Sequence, residues 1–247
     1  MIPTADTFHA LARSSPWRWT TLHFTHRDVR GSVEAWVRRP GNLLVRTADG
    51  RSHRVNGVPY TSTTLTVRLD GGASVEPVPP GPPAAVPPQQ VEPVWRPDGL
   101  VAARPSASHI EYDDPMWQNY AWVAMLDPVE LSHHVRVEDA RADVIAGRPA
   151  WRAFLVPETG YDPRCGGNCC ELLWSEAGLL ADFADDPSRV PESWRGRRYP
   201  DGYDVALDVG TGVVVRCRPV GGDEDAPWLE NDLLEVDADL GHVFGGD

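Results

Sequence analysis

Alternating apolar and polar residues predict a series of β-strands in the first seventy residues. In the clearest case Val33, Ala35 and Val37 share one face of a strand, and Trp36 lies on the other. The turn sequences between these segments, such as Asp49-Gly50, are typical of tight hairpins. The sequence therefore predicts a meandering antiparallel sheet after a short N-terminal helix, with the helix over residues 4–14 and strands over 17–26, 32–38, 42–47 and 63–69.

One segment in the middle of the chain has the apolar period of a helix. Asp114 is a good N-cap, Pro115 suits the first helical position, and Pro128 ends the helix. We therefore expect a helix over residues 114–127, whose apolar side carries Trp117, Tyr120, Trp122 and Met125. Strands resume after it, and we predict them over residues 135–144, 150–156, 203–208 and 213–218, with a short acidic helix or loop at 177–186.

Ten prolines between residues 75 and 105 exclude a helix interior or a central strand there. Trp95, Leu100 and Val101 make this segment more apolar than a free linker usually is. We therefore expect residues 75–105 to wrap across the sheet, within a single domain that spans residues 1–247. The fold class predicted is α+β.

The charge of the chain narrows the possible partners. All 23 basic residues are arginines, which excludes Schiff-base and P-loop lysines, and the net charge of −13 argues against nucleic acid as a partner. Residues 1–70 are rich in arginine, whereas residues 221–247 hold nine acids and no arginine. We interpret this acidic C-terminal segment as lying near the basic N-terminal sheet, or solubilised beside it; the alternative is a field that steers a cationic partner.

Neither a targeting signal nor a membrane span is evident, because the N-terminus has no basic start followed by an apolar run and no stretch approaches 18 apolar residues. We expect a cytoplasmic protein, in which cysteines are thiols or metal ligands. The usual metalloprotease, serine-hydrolase and dinucleotide-binding motifs are absent from the sequence. The sequence thus predicts no catalytic residue and favours a non-enzymatic protein.

Three of the four cysteines, Cys165, Cys169 and Cys170, lie within six residues on a glycine-rich segment. Close thiolates hold zinc or form a redox disulfide. A structural zinc site needs four ligands, and Cys217 completes the set if its strand passes this loop, although a lone strand cysteine is more often a small buried hydrophobe. Zinc is therefore a possible cofactor, no other cofactor is expected, and a purely structural turn of thiols is the alternative.

The order and motifs of several segments resemble the LolA-like group, which includes lipoprotein carriers and related sigma-factor regulatory proteins. The segments are residues 31–41, 146–151 and 207–215, together with the helix-bearing middle of the chain. Residues 161–173, with their clustered cysteines, and residues 235–240 resemble uncharacterised cytoplasmic proteins of high-GC bacteria. The resemblance implies a curved, mostly antiparallel open sheet, a half-barrel closed by helices, around an apolar cavity that receives acyl chains.

The ten tryptophans are consistent with such a cavity, or alternatively with a bulky core. We expect a binding or regulatory protein that holds a hydrophobic small molecule or peptide; the sequence identifies no particular protein partner. The predicted ligand-binding residues are Trp36, Trp117, Tyr120, Trp122 and Met125. Two alternatives remain: a zinc- or thiol-dependent protein centred on the segment from Cys165 to Cys170, and an acidic interaction module of the inhibitor or immunity type.

Overall fold

The computed structural model describes residues 2–57, 85–106, 109–165, 170–194 and 196–245. Its helices are α1 (Ala5–Ser14), α2 (Tyr120–Leu126), α3 (Glu176–Asp182) and α4 (Gly241–Phe244). Its strands are β1 (Thr21–Asp28), β2 (Gly31–Arg38), β3 (Asn42–Thr47), β4 (Ser52–Val55), β5 (Val94–Trp95), β6 (Val101–Ala103), β7 (Val135–Ile145), β8 (Arg148–Pro157), β9 (Gly202–Asp208), β10 (Val214–Val220) and β11 (Leu229–Val236).

Nine of these strands form one open antiparallel sheet in the order β4-β3-β2-β1-β11-β10-β9-β8-β7, while β5 and β6 pair separately. Sequential strands are mostly neighbours, as short turns dictate. This confirms the predicted α+β class and the mostly antiparallel open sheet. The predicted strands after residue 130 correspond to β7, β8, β9 and β10, and α1 begins after Thr4, whose side chain accepts a hydrogen bond from the first helical turn. The strand predicted at 63–69 lies outside the described residues.

The acidic C-terminal segment contributes the strand β11, which joins the two halves of the sheet by pairing with β1 and β10. Its acids meet bases of β1: His23 Nδ1 lies 2.9 Å from Glu235, and Arg27 lies 3.4 Å from Asp232. The sequence pattern predicts no strand here, because the acidic residues obscure the apolar alternation. The segment is therefore integral to the sheet and not merely solubilised beside it.

Helix α2 is shorter than the predicted range 114–127 and begins several residues later. Asn119 caps it with its side-chain oxygen, and the preceding Gln118 has φ +65°, which interrupts a right-handed helix. Asp114 is not the cap, because both of its carboxylate oxygens accept hydrogen bonds from the Arg39 guanidinium, at 2.9 and 2.7 Å. The predicted N-terminus of this helix is therefore wrong.

The described part of the proline-rich segment packs against the N-terminal helix. Leu100 is buried in the main core, Val101 is fully buried next to it, and the Val101 backbone N–H donates to Ser14 Oγ at 2.8 Å. The indole of Trp17 donates to the carbonyl of Pro88 at 2.9 Å. Apolar and polar contacts together fix this part of the segment to the helical side of the sheet.

The buried apolar residues form a large core on one face of the sheet and a small cluster on the other. The large core lies between the sheet and α1 and α2, and includes Phe24 and Trp122. The small cluster contains Trp36 and Phe244 under the C-terminal helix. Among the described residues, no helix is long and apolar enough to cross a membrane.

Candidate functional site

A cavity of about 70 Å³ lies at the end of the large core, beside α2 and strands β1, β10 and β11. Three indole side chains form part of its wall, and five titratable side chains, Arg30 and Cys217 among them, also line it. The aromatic members are Trp117, Trp122 and Trp228, and the titratable ones include His26, Asp28 and Glu171. A mostly apolar wall with a few convergent polar groups is typical of ligand-binding pockets.

Trp122 is the most deeply buried of the three tryptophans, with 3% of its surface exposed. The centroid of the Trp122 ring lies 5.4 Å from that of Phe24 and 5.3 Å from that of His26. The Trp122 and His26 rings meet edge-on. The Nε1–H of Trp122 is buried and makes no hydrogen bond to the described part of the protein. An unpaired buried donor costs about 1–3 kcal/mol, so an acceptor that reaches it adds binding energy.

His26 and Asp28 occupy alternate positions on β1, so both face the cavity side of the sheet. The His26 ring is fixed by Asn231 on the neighbouring strand, and its Nε2 lies 3.6 Å from Asp28 Oδ2. Burial alone raises the pKa of Asp28, but the nearby His26 imidazole and hydrogen bonds from Arg30 outweigh it and hold the pKa well below its usual range. Asp28 therefore remains a carboxylate at the rim of the cavity.

A wider cleft of about 640 Å³ shares His26, Asp28 and Trp117 with the cavity. Arg51 and His53 line its outer part, and the His53 ring lies 5.1 Å from Trp117 between centroids. Arg51 is 84% exposed and pairs at 2.7 Å with Asp49, which also lines the cleft. A small cavity lined in part by three indoles thus adjoins a larger cleft of mixed polarity.

The structure brings together only part of the predicted ligand-binding set. Trp117 and Trp122 line the cavity. Trp36 lies on the opposite face of the sheet, since strand alternation separates it from the core residues of β2. Met125 is completely buried behind the cavity wall, and Tyr120 is half-buried and hydrogen-bonds to the Asp113 side chain.

Several cavity residues were absent from the sequence-based prediction. Trp228 precedes β11, and its ring lies 4.4 Å from the Arg218 guanidinium carbon. His26 and Asp28 are separated by one residue on a predicted strand, which is a signal that both side chains share one face. That signal alone does not reveal which face the α2 helix covers.

The cysteine loop lies next to this cavity, because it continues into Glu171 and Leu172 of the lining. The Sγ atoms of Cys165 and Cys170 are 3.0 Å apart. Cys169 lies outside the described residues. Where the structure describes the chain, no three His, Cys, Asp or Glu side chains are grouped so as to hold a metal ion, and the zinc site stays a prediction.

Glu130, which is 3% exposed, joins the two ends of this loop. Its carboxylate accepts hydrogen bonds from the backbone N–H of Leu172 at 3.0 Å and of Arg164 at 3.3 Å. The Tyr161 hydroxyl donates to it at 2.7 Å. Burial raises the pKa of Glu130 and outweighs these hydrogen bonds, which lower it. The loop is thus closed by one buried carboxyl group.

Strand β10 passes the cysteine loop and carries Cys217, the candidate fourth zinc ligand. The environment of Cys217 differs from that of a zinc ligand. Cys217 is 2% exposed, and its thiol donates to the carbonyl of Leu172 at 3.4 Å. Burial raises the pKa of Cys217 strongly, which favours the thiol over the thiolate that zinc binds. These features are those of a small buried hydrophobe.

A buried ion-pair network anchors the start of the loop. The Arg164 guanidinium contacts the carboxylates of both Asp113 and Asp127, and Arg104 Nη1 donates to Asp127 at 2.9 Å. Asp127 is completely buried. Burial raises its pKa, but the charges of Arg104 and Arg164 outweigh this and lower it. The residue just before Cys165 is therefore held in place by charge.

Comparison with known proteins gives little beyond this geometry. No protein-family profile matches the chain, and no curated protein matches it. A crystal structure of MucB is similar with 13% sequence identity and a TM-score of 0.31, over 95% of this chain and 59% of that one. The chain thus spans about three fifths of the length of MucB. A similarity at this level does not define a ligand or a partner.

Proposed function

We propose that the protein is a non-enzymatic binding protein that holds one small apolar group of a ligand or peptide partner between Trp117, Trp122 and Trp228. The observation that carries this proposal is a cavity lined by three indole side chains, one of which, Trp122, has a buried N–H without a hydrogen-bond partner in the described part of the protein. A ligand acceptor satisfies that donor when the Trp122 ring shifts toward the cavity. Membership of the LolA-like group and a cytoplasmic location are part of the same proposal.

The size of the cavity restricts the ligand. At about 70 Å³ it is roughly half of the ~150 Å³ that holds benzene in an engineered cavity. A whole acyl chain is too large for it, whereas one branched or short apolar group fits. The polar remainder of the ligand would then occupy the adjoining cleft near Arg51 and His53. These dimensions favour a peptide or an amphiphilic small molecule over a lipid tail.

Native mass spectrometry of protein purified from its own source tests the proposal. Ala121 lines the cavity, so Ala121→Leu fills space that the ligand needs. Ala181→Leu makes the same change on an exposed position of helix α3 and serves as the matched control. We expect an added mass that is lost on denaturation in the wild type and in the control, but missing from Ala121→Leu.

Two results contradict the proposal. If Ala121→Leu retains the added mass, the ligand binds elsewhere. If the wild-type protein carries no added mass, the cavity holds no ligand in its source.

The acidic-module alternative has less support, because the acids of the C-terminal segment pair within the chain. Glu230 accepts from Arg218 at 2.9 Å, and Arg197 contacts the carboxylates of Asp223 and Asp225. Asp237 accepts a hydrogen bond from the backbone of Thr20 at 2.7 Å. These internal contacts occupy much of the negative charge that would meet a basic partner.

A further inference from the structure

Cys165 and Cys170 are placed for reaction with each other. Their sulfur atoms are 3.0 Å apart, and closing this gap to the ~2.05 Å of a disulfide requires a movement of about 1 Å. Both side chains are half-buried, so a small reagent from solvent reaches them. Neither residue needs to leave its loop for the bond to form.

The surroundings of the pair restrain it in this arrangement. Glu130 accepts from the backbone of Arg164, next to Cys165, and from that of Leu172, near Cys170. The Arg164 side chain is held in turn by Asp127. Because folding already fixes both ends of the loop, bringing the two thiols together costs little further entropy.

We propose that Cys165 and Cys170 form a thiol–disulfide exchange pair that reacts with a small-molecule disulfide. One thiolate attacks a sulfur of that disulfide and releases its first thiol, and the second cysteine then attacks the mixed disulfide and releases the other. The protein loses two electrons and two protons, and the small disulfide is reduced to two thiols. The inference rests on the loop and is independent of ligand binding in the cavity.

Oxidised glutathione, titrated against reduced glutathione on the full chain, is the probe. We expect a loss of about 2 Da without a retained glutathione adduct, two fewer thiols that alkylate after denaturation, and reversal by dithiothreitol. Cys169→Ser should keep this behaviour. Cys165→Ser and Cys170→Ser should lose the 2 Da change, and near-UV circular dichroism verifies that each variant is folded.

Cys217→Ser is the control for a cysteine in a different environment, and it should leave the glutathione dependence unchanged because that thiol is buried and bonded to Leu172. Glu130→Gln tests the positioning of the pair. It should shift the glutathione ratio at half-oxidation toward more oxidising conditions, since the loop ends are then held less firmly.

Four results overturn the inference. They are a 2 Da loss that disappears in Cys169→Ser, a 2 Da loss that persists in Cys165→Ser or Cys170→Ser, stable glutathione adducts that never resolve, and stoichiometric zinc that shields these thiols from glutathione.

Discussion

His26 and Asn231 are joined across two neighbouring strands, with Nδ1 of the imidazole 2.8 Å from Oδ1 of the amide. The amide orientation is set by its nitrogen, which donates to the carbonyl of Val214 at 2.6 Å. Oδ1 must therefore accept, and Nδ1 of His26 donates to it. This bond leaves Nε2 of His26 on the side of Asp28, at the border of the cavity.

Replacing Asn231 with alanine should destabilise the fold by about 2 kcal/mol or more, because a buried donor of His26 and the carbonyl of Val214 lose their partner. Urea unfolding measures the free energy. Asn42→Ala removes a comparable amide from the half-buried start of β3, where its nitrogen donates to Pro40 at 3.0 Å, and should cost less than half as much. Equal losses in the two variants would show that the buried pair has no special role.

Breaking the buried ion pair of Arg39 and Asp114 should lower the free energy of unfolding more than breaking an exposed ion pair does. Each side chain is 5% exposed, so Asp114→Asn leaves a buried guanidinium without its counter-charge and should cost about 3–5 kcal/mol. The same change in Asp49, whose pair with Arg51 is solvent-exposed, should cost far less. Thermal or urea unfolding of the two variants gives the comparison, and similar costs would refute it.

Glu130 should make the protein less stable as pH rises. Its folded pKa is raised above the ordinary 4.5 by burial, so the folded state binds its proton more tightly than the unfolded state does. The stabilisation from this group is complete below pH 4.5 and is lost as the pH rises through the folded pKa. The unfolding free energy of wild type minus that of Glu130→Gln should therefore fall as the pH rises above 4.5, in urea titrations at fixed salt.

If the unfolding free energy of wild type minus that of Glu130→Gln rises with pH, the fold prefers the ionised carboxylate. Glu158→Gln is the control, since that carboxylate is half-exposed and contacts Arg136 at the surface. Its difference from wild type should stay small across the same pH range.

Local patterns predict much of this sheet from sequence. Strands β2 and β3 follow the alternation of residues 31–47, because each hairpin is specified by neighbouring residues and their turn. Strand β11 is different, since its partners in β1 lie more than two hundred residues away in sequence. The pairing of His23 with Glu235 provides part of that specificity, and no local pattern reveals it.

The candidate site is less predictable for the same reason. Helical spacing identifies Trp117 and Trp122, but Trp228 and Glu171 reach the cavity from distant loops. Trp36 is adjacent to Val37 on β2, so strand alternation places its side chain on the face away from the main core. The contact of Glu130 with both ends of the cysteine loop is equally non-local.

The indole N–H resonance of Trp122, in a ¹⁵N–¹H spectrum of the labelled protein, tests the central claim most directly. Trp122→Phe assigns the signal, and N-acetyl-leucinamide and N-acetyl-phenylalaninamide supply an apolar group beside a carbonyl acceptor. We predict a saturable downfield shift of the Trp122 signal with at least one of the two, while Trp36 on the opposite face stays unchanged. Parallel small shifts of both indoles, or none at Trp122, would contradict a ligand site in this cavity.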